Sequence, residues 1–108
     1  MKLSTEGHHT ERRGQPRLRL RGAVHVAHAG AQLRAQVSDI SLAGAGLYVH
    51  ELLPEGGRVR LDIPVRGGAV AAVAARVAHS RLGCAGVCFL WAGEDDPNRR
   101  LLRAVLDG

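Results

Sequence analysis

Residues 58–65 alternate without a break: Val59, Leu61, Ile63 and Val65 take one parity, and Arg58, Arg60, Asp62 and Pro64 take the other. A period of two is the period of a β-strand, so this segment buries one face and wets the other. The pattern recurs. Leu33, Ala35 and Val37 oppose Gln32, Arg34 and Gln36, while Leu18, Leu20, Val24 and Val26 share a parity. Strand-like runs fall at residues 18–29, 32–40, 45–50, 58–65, 69–80 and 83–91. Alanines blur the parity of residues 69–80, so a bulge is expected there. Turn chemistry separates the runs at Gly30, at Pro54-Glu55-Gly56-Gly57 and at Arg66-Gly67-Gly68. Six short strands joined by tight turns specify an all-β fold, a small antiparallel barrel or sandwich, and a barrel also removes the exposed edges.

One helix is expected near the C-terminus. Glu94-Asp95-Asp96-Pro97 supplies an N-cap, a first-turn proline and negative charge at the positive end of the helix dipole. From Asn98 to Leu106, the residues Leu101, Leu102, Val105 and Leu106 form an apolar stripe that can dock on the sheet.

At 108 residues the chain suits one domain with a core of its own. Tyr48, Phe89 and Trp91 are the only aromatics, so that core is Val, Leu, Ile and Ala. Residues 1–10 lack the apolar centre of a signal peptide and are read as a flexible tail, with the domain over 11–108. No apolar run reaches the roughly 18 residues of a membrane span, and a cytoplasmic location is expected. His8 and His9 have no further ligands around them to make a metal site, and none is expected. Cys84 and Cys88 on one strand would stand about 13 Å apart. A disulfide needs Cα atoms within about 7 Å, so two reduced thiols are expected.

The formal charge is +5, and of the fifteen basic residues only Lys2 is a lysine. That balance favours an anionic partner. An arginine and alanine excess is also what a GC-rich genome produces, so not every arginine is read as functional. The informative ones lie in Glu11-Arg12-Arg13-Gly14-Gln15-Pro16-Arg17. Pro16 fixes its own φ and pushes Gln15 towards extended backbone, so Arg13 and Arg17 are presented by a stiff loop rather than a helical turn. A guanidinium fork matches phosphate oxygens, and it matches the O6/N7 edge of guanine as well. The loop therefore suits a phosphate, a guanine or both. Taken alone it equally fits a solvated basic tail.

A second segment is Asp39-Ile40-Ser41-Leu42-Ala43-Gly44. On a strand Asp39 and Ser41 would face one side. Asp39 can accept from the N1 and N2 donors of guanine, and Ser41 can donate to a phosphate. Gly44 and Gly46 permit close approach of backbone or ligand. Alone, this segment also reads as an Asx turn at a strand end.

Together the two segments resemble the signature of the PilZ domain family. Arg-x-x-x-Arg is Arg13-Gly-Gln-Pro-Arg17, and Asp-x-Ser-x-x-Gly is Asp39-Ile-Ser-Leu-Ala-Gly44. Gly86-Val87-Cys88-Phe89 resembles the family's Gly-Val-Arg-Phe strand, with cysteine in place of arginine. The resemblance covers about residues 11–106. It implies a six-stranded antiparallel barrel with a C-terminal helix, and a receptor for cyclic di-GMP, a bacterial second messenger. By the same resemblance, Arg13 and Arg17 grip the phosphates and the Hoogsteen edge of a guanine. Asp39 and Ser41 complete those contacts, and Gly44 keeps the loop open. Arg12 adjoins the motif, placed for a further phosphate or cation–π contact. His79 matches a strand position that in the family packs on a guanine face, though an exposed strand histidine is the equal alternative.

The expected mechanism is a switch. Cyclic di-GMP orders the arginine loop against Asp39-Ser41-Gly44, and the changed surface acts in trans on an effector protein. Two other readings remain: a PilZ-like adaptor that works without ligand, and a small basic barrel that binds nucleic acid. Three aromatics give the latter few stacking platforms. Catalysis is not expected. Ser41 has no histidine near it in sequence, and no phosphate-binding glycine loop ends in lysine. No cofactor is expected.

Overall fold

The computed structural model describes residues 4–9 and 17–107. The strands are β1 (Ser4–His9), β2 (Arg17–Arg21), β3 (Ala23–His28), β4 (Ala31–Ile40), β5 (Gly44–Val49), β6 (Arg58–Pro64), β7 (Val70–Arg81) and β8 (Gly83–Phe89), followed by helix α1 (Pro97–Asp107). Every pairing is antiparallel, in the order β1-β2-β4-β3-β6-β7-β8-β5. β5 pairs with β4 as well as with β8, so β3 to β8 close into a six-stranded barrel.

The alternation read from the sequence is the alternation of the barrel wall. Val59, Leu61 and Ile63 point inward beside Val24 and Val26 of β3 and Val73 of β7. Arg58 and Arg60 lie outside. Val, Leu, Ile and Ala make up nearly all of this core, with Phe89 the one aromatic fully inside it. α1 lies against β7 and sends Leu102 and Val105 into the same core. Its N-terminus is tied to β7, where Asn98 Oδ1 accepts from Ala72 N at 3.1 Å.

The turns take the conformations that their residues allow. Ala29 and Gly30 both have positive φ, 49° and 81°, which is the two-residue hairpin turn that suits the twist of β3 and β4. Pro54 to Gly57 close by Gly57 N donating to Pro54 O at 2.9 Å, with Gly56 at φ 80° where a type II turn needs it.

Two differences from the sequence reading have plain causes. The run over residues 18–29 is two strands, not one. Both lie along β4, but the register slips by one residue between Leu18↔Ile40 and Ala23↔Gln36. Gly22 sits at the slip, buried, and its carbonyl accepts from Val37 N at 3.2 Å. A bulge of this kind puts an extra residue into one strand, and glycine accommodates it. The other lies within residues 1–10, read as a tail: Ser4–His9 form β1, which pairs with β2. β7 does carry its expected bulge, between Val77 and His79.

Candidate functional site

β4 delivers Asp39 to the outside of the barrel through a register shift between Val37 and Asp39. Because of that shift Ile40 takes the inward place, fully buried, and β4 ends there. Ser41 therefore does not share a strand face with Asp39, as simple alternation required. It lies beyond the strand and is 5% exposed, the one buried polar residue among those described.

The turn that follows is fixed from both sides. Ser41 N donates to Gly44 O at 2.9 Å, and Ser41 Oγ accepts from Ala43 N at 3.1 Å. The hydroxyl hydrogen is left to donate. From outside, Phe89 N donates to Ala43 O at 2.8 Å, and Trp91 Nε1 donates to Leu42 O at 2.7 Å. Trp91 packs edge-on against Phe89, ring centres 5.4 Å apart, which fixes the indole for that bond. Gly44 cannot be replaced without movement: a Cβ there would run into the backbone carbonyl of Val87.

Next to this turn the barrel has a strip without side chains. Gly46 of β5 pairs with Gly86 of β8. Asp39 opposes Gly46 on one side, and His79 of β7 opposes Gly86 on the other. Asp39, Gly46, Gly86 and His79 thus form one row across four strands. Asp39 Oδ1 accepts from Gly46 N at 3.0 Å, which holds the carboxylate over the strip. The imidazole of His79 lies over Gly86, where an added Cβ would stand 2.8 Å from its Cε1. The two glycines thus make room for the side chains beside them: the Ser38 hydroxyl and Asp39 carboxylate cover Gly46, and the His79 imidazole covers Gly86. An acceptor and an aromatic ring are thereby held in one row on the outer face.

The neighbouring row is Gly44, Cys88 and Arg76. Arg76 is exposed and stands across from Cys88, the position where the sequence resemblance has an arginine. Arg76 was missed from sequence. It lies three positions before His79, which on a regular strand means opposite faces. The bulge after Val77 restores them to one face, so the expected bulge was the available signal.

Arg12 and Arg13 lie outside the described residues. Arg17 begins β2, and its neighbour Leu18 pairs with Ile40, between Asp39 and Ser41. The C-terminal end of the arginine segment and the Asp-x-Ser segment are thereby neighbours in the sheet. Cys84 and Cys88 are free thiols on the outer face of β8. Among the described residues, no group of three or more His, Cys, Asp and Glu gathers to hold a metal.

A family model described as PilZ domain matches residues 11–107. The fold is similar to the PilZ domain of CeSA from a cellulose-synthesizing bacterium, with TM-score 0.68 at 19% identity, over 84% of this chain and 95% of that one. It is also similar to the PilZ domain of YcgR from Escherichia coli, a structure with c-di-GMP. That match has TM-score 0.64 at 18% identity, over 90% of this chain and 91% of the other. No curated protein matches the chain.

Proposed function

The chain belongs to the PilZ domain family, and from that membership we propose that it is a receptor for cyclic di-GMP. The observation that carries the reading is the pairing of Leu18 with Ile40, which makes sheet neighbours of the two segments whose residue types suit a guanine nucleotide. The YcgR domain of like fold, with c-di-GMP, supports the choice of ligand.

Arg13 and Arg17 supply guanidinium forks to the phosphates and to the O6/N7 edge of a guanine. Arg12 adds a phosphate or cation–π contact. Asp39 accepts from guanine N1 and N2 while the Gly46 amide steadies its carboxylate. Ser41 donates its hydroxyl hydrogen to a phosphate, and Gly44 leaves room at the turn. A base packs against the His79 imidazole, which Gly86 seats close to the barrel wall. Arg76 offers the cation that Cys88 does not.

The chain acts as a binding domain rather than an enzyme. Membership of the PilZ family supports that reading, and Ser41 Oγ accepts from the Ala43 amide inside a closed turn. Ligand draws the arginine segment against Asp39-Ser41-Gly44, and the ordered surface is read in trans by an effector protein. The extent of the shift is set by the ligand's differential affinity for the ordered state. A receptor for this messenger works in the bacterial cytoplasm. Among the described residues no helix is long and apolar enough to cross a membrane.

Amide NMR spectra recorded during titration with cyclic di-GMP test the location. The largest shifts are expected at Gly44, Gly46, Gly86 and His79. Shifts confined to β3 and β6, or none, would leave the ligand without this site.

A further inference from the structure

Among the described residues four large apolar side chains are exposed, and three of them gather at one end of the barrel: Tyr48 (60%), Leu52 (63%) and Leu82 (82%). Their closeness follows from the pairing. Tyr48 opposes Cys84, and Val49 opposes Gly83, the residue after Leu82. Leu52 is brought in by its neighbour, since Leu53 N donates to Ser80 Oγ at 2.9 Å near the end of β7. Tyr48 also walls a depression of about 280 Å³, shared with Arg34, Gln36, His50 and Gly83.

The rim is basic. Arg34 and Arg81 are both exposed, and Arg81 lies in the Tyr48–Cys84 row. Glu51 is the nearby acid with no bond to another element, while Glu55 Oε2 accepts from Ser80 N at 3.0 Å. Tyrosine and arginine around an apolar centre form the composition of a protein-binding surface. Exposed apolar groups gathered in this way mark interaction sites.

We propose that the face formed by Tyr48, Leu52 and Leu82, with Arg34 and Arg81 at its rim, docks an acidic protein segment carrying one or two large apolar anchors. The charge chooses the occupant. A second copy would bring the same arginines against each other across a two-fold axis, where like charges repel. A nucleic acid would find one aromatic platform, Tyr48, instead of the series that stacking requires. The face also begins one row beyond Gly46 and Gly86, so a docked segment lies beside anything held by Asp39 and His79. This goes beyond the nucleotide reading and does not depend on it.

A phage library of random 12-residue peptides panned on the wild-type chain provides the probe. Recovered peptides are then measured by fluorescence anisotropy. They are expected to be net acidic, to contain Leu, Phe or Trp, and to bind more weakly as salt rises. Tyr48→Ala with Leu82→Ser should weaken them at least tenfold, and so should Arg34→Glu with Arg81→Glu. All four side chains are exposed, so melting temperatures should hold, and cyclic di-GMP affinity should be unchanged in the Tyr48 and Leu82 variant. Loss of peptide binding with nucleotide binding intact isolates this face from the other site. Peptides without acidic enrichment, peptides indifferent to both double variants, or no binders at all would overturn the proposal. So would a wild-type dimer in sedimentation that the Tyr48 and Leu82 variant dissolves.

Discussion

Leu18 on β2 pairs with Ile40 on β4, and each is the neighbour in sequence of residues that carry the proposed nucleotide contacts. Arg17 precedes the one, and Asp39 and Ser41 flank the other. Twenty-one residues of chain separate Leu18 from Ile40, and the β3–β4 hairpin folds them back into register. The site is therefore made by the same pairing that completes this side of the barrel wall.

Gly44→Ala should destabilise the protein by about 1–3 kcal/mol, the usual cost of forcing an atom into a packed region. The added carbon meets the Val87 carbonyl, so β5 and β8 must move apart. Gly93→Ala meets nothing within 4 Å and should stay within about 0.5 kcal/mol of wild type. Urea unfolding of both variants checks the difference.

Ala29→Asn should stabilise by about 0.5–1 kcal/mol. Ala29 holds φ 49° at an exposed turn, where Asn-Gly is the preferred pair and an alanine Cβ is strained. A raised urea midpoint with an unchanged slope is the expected outcome.

Asp96 predicts an acid sensitivity. Its carboxylate accepts from Ala92 N at 3.1 Å and from Asn98 N at 2.9 Å, capping α1. Those backbone bonds, that from Ala92 first, hold its pKa below the ordinary value of 3.8. The folded state thus favours the charged form. Its stabilisation is present above the unfolded value and is lost as pH falls below 3.8 towards the lower folded value. Asp96→Asn should flatten the fall in urea midpoint between about pH 4 and pH 2 relative to wild type.

Trp91 is the only tryptophan, and its indole bonds the carbonyl of Leu42 inside the proposed ligand turn. Cyclic di-GMP should change its emission saturably, and GTP should not. Calorimetric binding without any change in emission would place the ligand away from Leu42.

Much of the barrel could be read from alternation, because a wall with one wet face writes its parity into the sequence. Residues 58–65 are the clearest case. Helix α1 was equally legible, through Asp96 and Pro97 at its start. Parity failed where the ladder slips: at Gly22, between Val37 and Asp39, and after Val77. A slip reverses the faces of everything beyond it, and only pairing reveals where it falls. That is why Arg76 joined the face of His79, whereas Ser41 left that of Asp39 because β4 ends at Ile40. The glycine pair beneath Asp39 and His79 had one visible member, Gly46. Its partner Gly86 is forty residues away, and their pairing is a property of the closed barrel.

The most direct measurement is calorimetric titration of cyclic di-GMP into wild type and Arg13→Ala, with GTP as control. Binding in the micromolar range or tighter that vanishes in the variant and is absent with GTP is the predicted result, and its stoichiometry distinguishes one ligand from a stacked pair. No heat from wild type at high ligand concentration would contradict the receptor reading.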